Sequence, residues 1–228
     1  MTTRAQQRPV VWVPTPPGWV EVAAFATEER ARAHWRAMVE PVREEIGDTH
    51  TEELYRMLSA ARETVAGARV SSAGLVLTVV SGELAVWTFS TALEHVRSGE
   101  LAPAALVERA VSGRAASTED VALPGGRTGV LARFDVTPPP APPGAGLPSW
   151  GTASQHHCVV AAPLRDRPHD VVVVSGSSND PRDGDLLAMA TVSLAAGVEV
   201  GTTPPDTDGR LADVIETFDR LTGAGPER

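Results

Sequence analysis

TPPPAPPGAGLPSW, residues 137–150, holds six of the chain's nineteen prolines, and its reading decides whether the 228 residues form one unit or two. As a tether, the tract would leave only two strands and two helices beyond it, a marginal amount for an isolated core. As a loop, it joins a strand ending at Val136 to one starting near Gln155, sequential members of one antiparallel sheet. The loop reading is the simpler. It makes residues 1–228 a single domain with an ordered core of about 10–222 and a Pro/Gly-rich loop at 137–150. Long loops without regular structure are uncommon and often functional where they occur.

The segments around the tract alternate in character. QHHCVVAAPL (155–164) and DVVVVSG (170–176) are β-branched apolar runs that read as strands. DVALPGGRTGVLARFDV (120–136) reads as two strands joined around Pro124-Gly125-Gly126, and GLVLTVV with ELAVWTF, separated by Ser81-Gly82, as a hairpin. Helices are expected on either side. Thr27 is placed to cap a first helix whose Ala31, Trp35, Met38, Val42 and Ile46 recur at helical spacing, with a kink at Pro41. A second is expected from Thr51 to Ala66, with Leu54, Leu58, Ala61 and Val65 inward, and a third from Pro103, carrying Leu106, Val107 and Val111. Two more close the chain, near Asp183–Val198 and Leu211–Thr222, while residues 10–13 and 19–22 are short extended pieces around Pro16-Pro17-Gly18. This order defines an α+β domain with a mainly antiparallel sheet covered by helices.

Charge and composition exclude several chemistries. The chain carries 29 acidic and 20 basic residues, and every basic one is arginine. Lysine-dependent chemistry is therefore excluded: the phosphate-loop, Schiff-base and kinase lysines all need a compact ammonium that arginine does not replace. A net charge of −9 without an arginine cluster makes nucleic acid an unsuitable partner. Cys158 is the only cysteine, so neither an intrachain disulfide nor a cysteine-cluster zinc site can form. The apolar run Val10–Val13 is too short for a signal sequence, and no stretch approaches a membrane span. A soluble cytoplasmic protein without membrane insertion is expected.

Three segments carry a family resemblance: PPGWVEV at 16–22, VALPGGRTGVLARF at 121–134 and DVVVVSGSSNDPRDGDLLAMATVSLAAGV at 170–198. With the element order, they resemble the PsbP-like group, in particular its small actinobacterial members. The resemblance implies a single-domain α/β/α sandwich. That group includes a photosystem extrinsic subunit, a nuclear-transport factor and secretion-associated proteins, so it implies a binding or scaffolding role and transfers no catalytic residue.

The densest group of reactive side chains is His156, His157, Cys158, His169 and Asp170. On a strand His156 and Cys158 share a face and His157 takes the other. A hairpin could bring His169 to His156 and Cys158 as metal ligands, but the spacing matches no known ligand motif, and no metal or other cofactor is expected. Ser177, with His157 or His169 and Asp180, could form a serine hydrolase site. SGSSND lacks the nucleophile-elbow pattern, however, and Ser178, Asn179 or Asp180 is better read as a helix cap. GGRTG reads as a hairpin turn rather than an anion loop. Glu44, Glu45, Asp48 and His50 read as a solvated charge run.

Five tryptophans beside four phenylalanines and one tyrosine form a biased aromatic set. Trp35 and Trp87 have core-like neighbours. Trp12, Trp19 and Trp150 flank proline segments and, with Pro138, Pro139 and Pro140, are the candidate partner-binding residues. The expected function is non-enzymatic binding of another protein, as an adaptor or chaperone for a secretion or envelope system; the secretion link comes from the resemblance. The serine hydrolase and a small-ligand pocket between sheet and helices are the rival readings.

Overall fold

The computed structural model describes residues 10–80, 83–96, 103–137 and 155–201. The proline tract beyond Thr137 and the expected helix at 211–222 lie outside these residues. Seven strands form one sheet because their period-two sequences offer each face of the sheet something to bury. They are β2 (Trp19–Glu21), β3 (Ser72–Val80), β4 (Glu83–His95), β5 (Ser117–Leu123), β6 (Arg127–Val136), β7 (Gln155–Leu164) and β8 (Arg167–Ser178). Their spatial order is β2-β3-β4-β8-β7-β6-β5, antiparallel at every step. Val136 pairs with Gln155, so the two ends of the proline tract are neighbours in this sheet. A separate two-stranded sheet joins β1 (Val10–Trp12) to β9 (Glu199–Gly201).

Helices cover both faces. On one lie α1 (Glu28–Val39), α2 (Arg43–Val65) and α3 (Pro103–Ala110). α1 and α2 pack on β2 and β3 through Trp35, Leu58 and Leu75, and α3 packs on β6 and β7 through Leu106, Val107, Phe134 and Val159. The other face holds α4 (Gly184–Gly197) over β7 and β8, around Trp87, Val160, Val172 and Leu194. The domain is thus α+β, with a mainly antiparallel sheet between helical layers. Among the described residues no helix is long and apolar enough to cross a membrane.

The helical layer over β2 and β3 departs from the sequence expectation in one place. Thr27 caps α1 by accepting from the Arg30 amide at 3.3 Å, and Ala31, Trp35 and Val39 are its buried residues. Met38 points outward, 44% exposed, because the buried stripe follows an i, i+4, i+8 line that it does not share. Pro41 lies in a 3-10 turn, Glu40–Val42, and helical structure resumes at Arg43. Gly47, at φ 78° and ψ 158°, is non-helical and divides Arg43–Val65 into two helices joined at a kink, so the helix expected from Thr51 begins shortly after Gly47, within a few residues of that position.

Hydrogen bonds fasten this layer to its strand edge. Trp35 Nε1 donates to the Glu21 carbonyl at 2.8 Å, and Arg62 donates to the carbonyls of Val22 and Phe25 at 2.9 and 2.8 Å. The Glu21 carboxylate accepts from the Ala23 amide, the Ser72 hydroxyl and Trp19 Nε1. Gly18 lets the Pro16-Pro17-Gly18 turn lie directly on β3: its φ is +75°, and a Cβ there would fall 2.2 Å from the Leu77 carbonyl oxygen.

Trp35 is fully buried beneath this layer. Trp35→Ala should cost about 3–5 kcal/mol in urea denaturation. Because the strands on both sides of the proline tract share one sheet, the wild type should unfold in a single transition followed by fluorescence and far-UV dichroism. Two separated transitions would contradict that coupling.

Candidate functional site: a hydroxyl-floored trough

The two central strands solve their two faces differently. Toward α4, β4 and β8 present Trp87, Phe89, Val172 and Val174, all buried. Toward α2 and α3 they present Val86, Thr88, Ser90 and Ala92 on β4 with Val173, Ser175 and Ser177 on β8, and every one of these is partly exposed. The register places Thr88 beside Ser177 and Ser90 beside Ser175, so four hydroxyls lie together at the middle of the sheet. Thr88 and Ser177 are hydrogen-bonded to each other through their hydroxyls.

The walls are the two helical layers. α2 rests on β3 and α3 on β7 and β6, which sets their axes about three and a half strand spacings, or about 17 Å, apart. Helices in contact lie about 8–10 Å apart, so the interval is wide enough for one further helix. Leu77 and Val86 form an apolar shoulder toward α2, and Val173 forms one toward α3. No helix among the described residues spans β4 and β8 on this face.

His157 closes one end of the trough. It pairs in register with Ser177 on one side and Phe134 on the other, and its ring stacks on Phe134 at 5.3 Å with 9° between planes. The Arg114 guanidinium lies over the same phenyl ring, 5.3 Å from its centre. Burial, and then the Arg114 charge, hold the His157 imidazolium disfavoured, so its proton affinity is below the ordinary histidine value. Its Nε2 meets the Gln155 Oε1 at 3.3 Å. The proline tract departs one residue beyond Val136 and its far strand begins at Gln155, so both its anchors lie at this same end.

The hydrolase constellation is only partly assembled. Ser177 and His157 are cross-strand neighbours, but His169 lies near the opposite end of β8, beside the Arg165–Asp166 turn. Asp180 accepts from the Arg182 amide at 2.8 Å and from its guanidinium at 2.9 Å. The same geometry separates the candidate metal ligands. His156 pairs with Ser178, nine residues along the strand from His169, or about 30 Å. The hairpin expected to bring His169 to His156 and Cys158 therefore holds His169 apart from them. Cys158 is fully buried, and burial pushes its thiol up to about 12. His156 is held through Nδ1 by Asp135 Oδ1 at 2.8 Å. Among the described residues no group of three or more His, Cys, Asp or Glu side chains could hold a metal ion.

The helix-cap reading of SGSSND also needs correction. Asp180 caps a 3-10 turn, Pro181–Asp183, and Asp183 occupies the N-cap position of α4 without a side-chain cap bond. Its buried carboxylate instead accepts from Trp87 Nε1 and the Ser178 hydroxyl, both at 2.7 Å. Arg127 of the GGRTG turn donates to the carbonyls of Pro163 and Ala196 at 3.0 and 2.9 Å, and so serves the end of α4. Arg43 gathers Glu40 and Asp48 at 2.8 and 2.7 Å, which makes the acidic run near His50 an ion-pair network.

Among the tryptophans, Trp19 is not a contact residue. It is 9% exposed, and its ring lies so close over Gly74 that a Cβ there would fall 2.4 Å from it. Trp12 on β1 is partly buried, with its indole nitrogen buried and unpartnered among the described residues. Pro138, Pro139, Pro140 and Trp150 lie outside the described residues. The trough itself was missed, although alternating Thr88/Ser90 and Ser175/Ser177 hydroxyls on otherwise apolar strands were its signal. Comparison of the chain with protein-family models and with curated protein sequences finds no match.

His157 gives the site a pH signature. Its folded-state affinity for a proton is depressed, so below about pH 6.5 the unfolded chain takes up a proton that the native state resists, and stability falls. His157→Phe retains the stack on Phe134 and should remove this component of the stability–pH slope between neutral pH and about pH 5. An unchanged slope would show that His157 titrates alike in both states.

Proposed function

We propose that this protein is a non-enzymatic binding module that receives a helical segment of another protein in the trough between α2 and α3. The observation that carries the reading is the floor: the two central strands, where burial is normally most complete, present short hydroxyl and methyl side chains to a helix-wide interval. A helix needs about 10–12 Å with its side chains, and small floor residues let its backbone come close. Hydroxyls both donate and accept, so such a floor tolerates polar side chains on the incoming helix, while Leu77, Val86 and Val173 supply apolar shoulders. Helix-in-groove docking of this kind reads anchors at helical spacing.

The proline tract belongs to the same proposal. Its anchors, Val136 and Gln155, lie beside the Phe134–His157 pair at one end of the trough, and Pro138–Pro140 and Trp150 are the residues of the tract proposed to contact the same partner. A proline segment is restricted before binding and costs little further ordering. The PsbP-like resemblance supports a cytoplasmic adaptor or chaperone serving a secretion or envelope system.

The trough can be filled to test this reading. Ser175→Trp and Ser90→Trp place an indole on the floor without touching the α4 face. Immobilised wild type should retain a specific protein from the native host, and a photo-reactive side chain at Ser177 should cross-link to it. Both tryptophan variants, with unchanged melting and far-UV dichroism, should lose that partner. Partners retained by folded variants would remove the trough as the binding site.

A further inference from the structure

The two edges of the seven-stranded sheet end differently. At one, β2 is three residues long, and the carbonyls of Glu21, Val22 and Phe25 accept from Trp35 and Arg62 of the overlying helices. At the other, β5 runs for seven residues and pairs with β6 alone. Ser117, Thr118, Glu119, Asp120 and Ala122 are exposed, and among the described residues nothing outside β6 hydrogen-bonds to the main chain of this strand. A row of amides and carbonyls left facing outward is a template for one more strand. Proteins usually blunt such an edge with a proline, a lysine, a bulge or a very short strand. β5 has none of these: STEDVAL pairs with β6 residue for residue, without a register shift.

We propose that the open edge of β5 receives an extended, cationic segment of another protein as an added strand. Charge selects this occupant. Glu119 and Asp120 project from opposite faces at the middle of the strand, which carries no basic residue. On the α4 side, Arg133 is shared by Glu119 at 2.9 Å and Asp185 at 2.6 Å, so one cation answers two carboxylates. On the other side Asp120 has no partner among the described residues. The same charges refuse a second copy of the chain: antiparallel pairing about a two-fold axis at the centre of β5 sets these carboxylates against their own counterparts. A strand with arginine or lysine at alternate positions instead meets Asp120 with opposite charge. Its intervening residues then lie on the face of Val121 and Leu123, which join the core beneath α4. In such strand addition the main-chain bonds supply affinity and the alternate side chains supply selectivity. β6 and β7 separate this edge from β8 and the trough, so the inference is independent of what the trough binds.

The full chain and two synthetic peptides test this. Titration with acetyl-Thr-Val-Arg-Val-Arg-Val-Thr-amide should slow hydrogen exchange at the outward amides within Ser117–Ala122, read residue by residue by NMR. The same peptide with glutamate in place of each arginine should leave them unchanged. Asp120→Arg replaces an exposed, unpaired side chain, so it should melt like the wild type. It should weaken binding of the arginine peptide by about tenfold and admit the glutamate peptide. Failure of the arginine peptide to bind, binding that leaves the β5 amides exchanging as before, or equal binding to wild type and Asp120→Arg would each overturn the proposal. So would protection of the same amides when the chain alone is concentrated, since the edge would then belong to a second copy.

Discussion

The pairing of β4 with β8 is the constraint on which the rest of the molecule depends. Nine residue pairs, from Trp87 with Ser178 to His95 with Asp170, join segments separated by α3 and three strands. The pairing fixes which side chains share a face. Because side chains alternate strictly along a strand, the same register that buries Trp87, Phe89, Val172 and Val174 under α4 sends Thr88, Ser90, Ser175 and Ser177 to the other side. A slip of one residue would exchange the faces and place indole and phenyl rings in the trough. Large residues on one face and short ones on the other therefore specify the register and create the trough by the same pattern.

Asp183 holds this arrangement at its upper end. A buried carboxylate without donors is costly, and here Trp87 on β4 and Ser178 on β8 both supply one. The carboxylate thereby binds the start of α4 to the two central strands at the first pair of their register. At the other end, the exposed His95 and Arg167 side chains meet Asp170 at 2.7 and 3.3 Å. Burial alone would raise the Asp170 acid, yet those two partners outweigh it and hold the carboxyl below its ordinary range. Both ends of the β4–β8 ladder are thus closed by an aspartate, one beneath α4 and one at the sheet end.

Much of this was legible in the sequence, and the exceptions share a physical cause. Strand runs were readable because β-branched residues and Pro-Gly turns are local signals; Leu123 and Arg127 close the turn around Gly125 and Gly126 as those residues indicate. The neighbourhood of Val136 and Gln155 followed from the weakness of any core built beyond the tract alone. Trp19 was misjudged because flanking prolines suggest exposure, whereas its ring fits over Gly74, a residue distant in sequence. His169 was misplaced because a hairpin brings residues together only at equal distance from its turn, and His156 and His169 lie at unequal ones. The trough escaped notice because it exists only once β4 and β8 are adjacent. Local pattern reports each strand; it does not report which strand lies beside it.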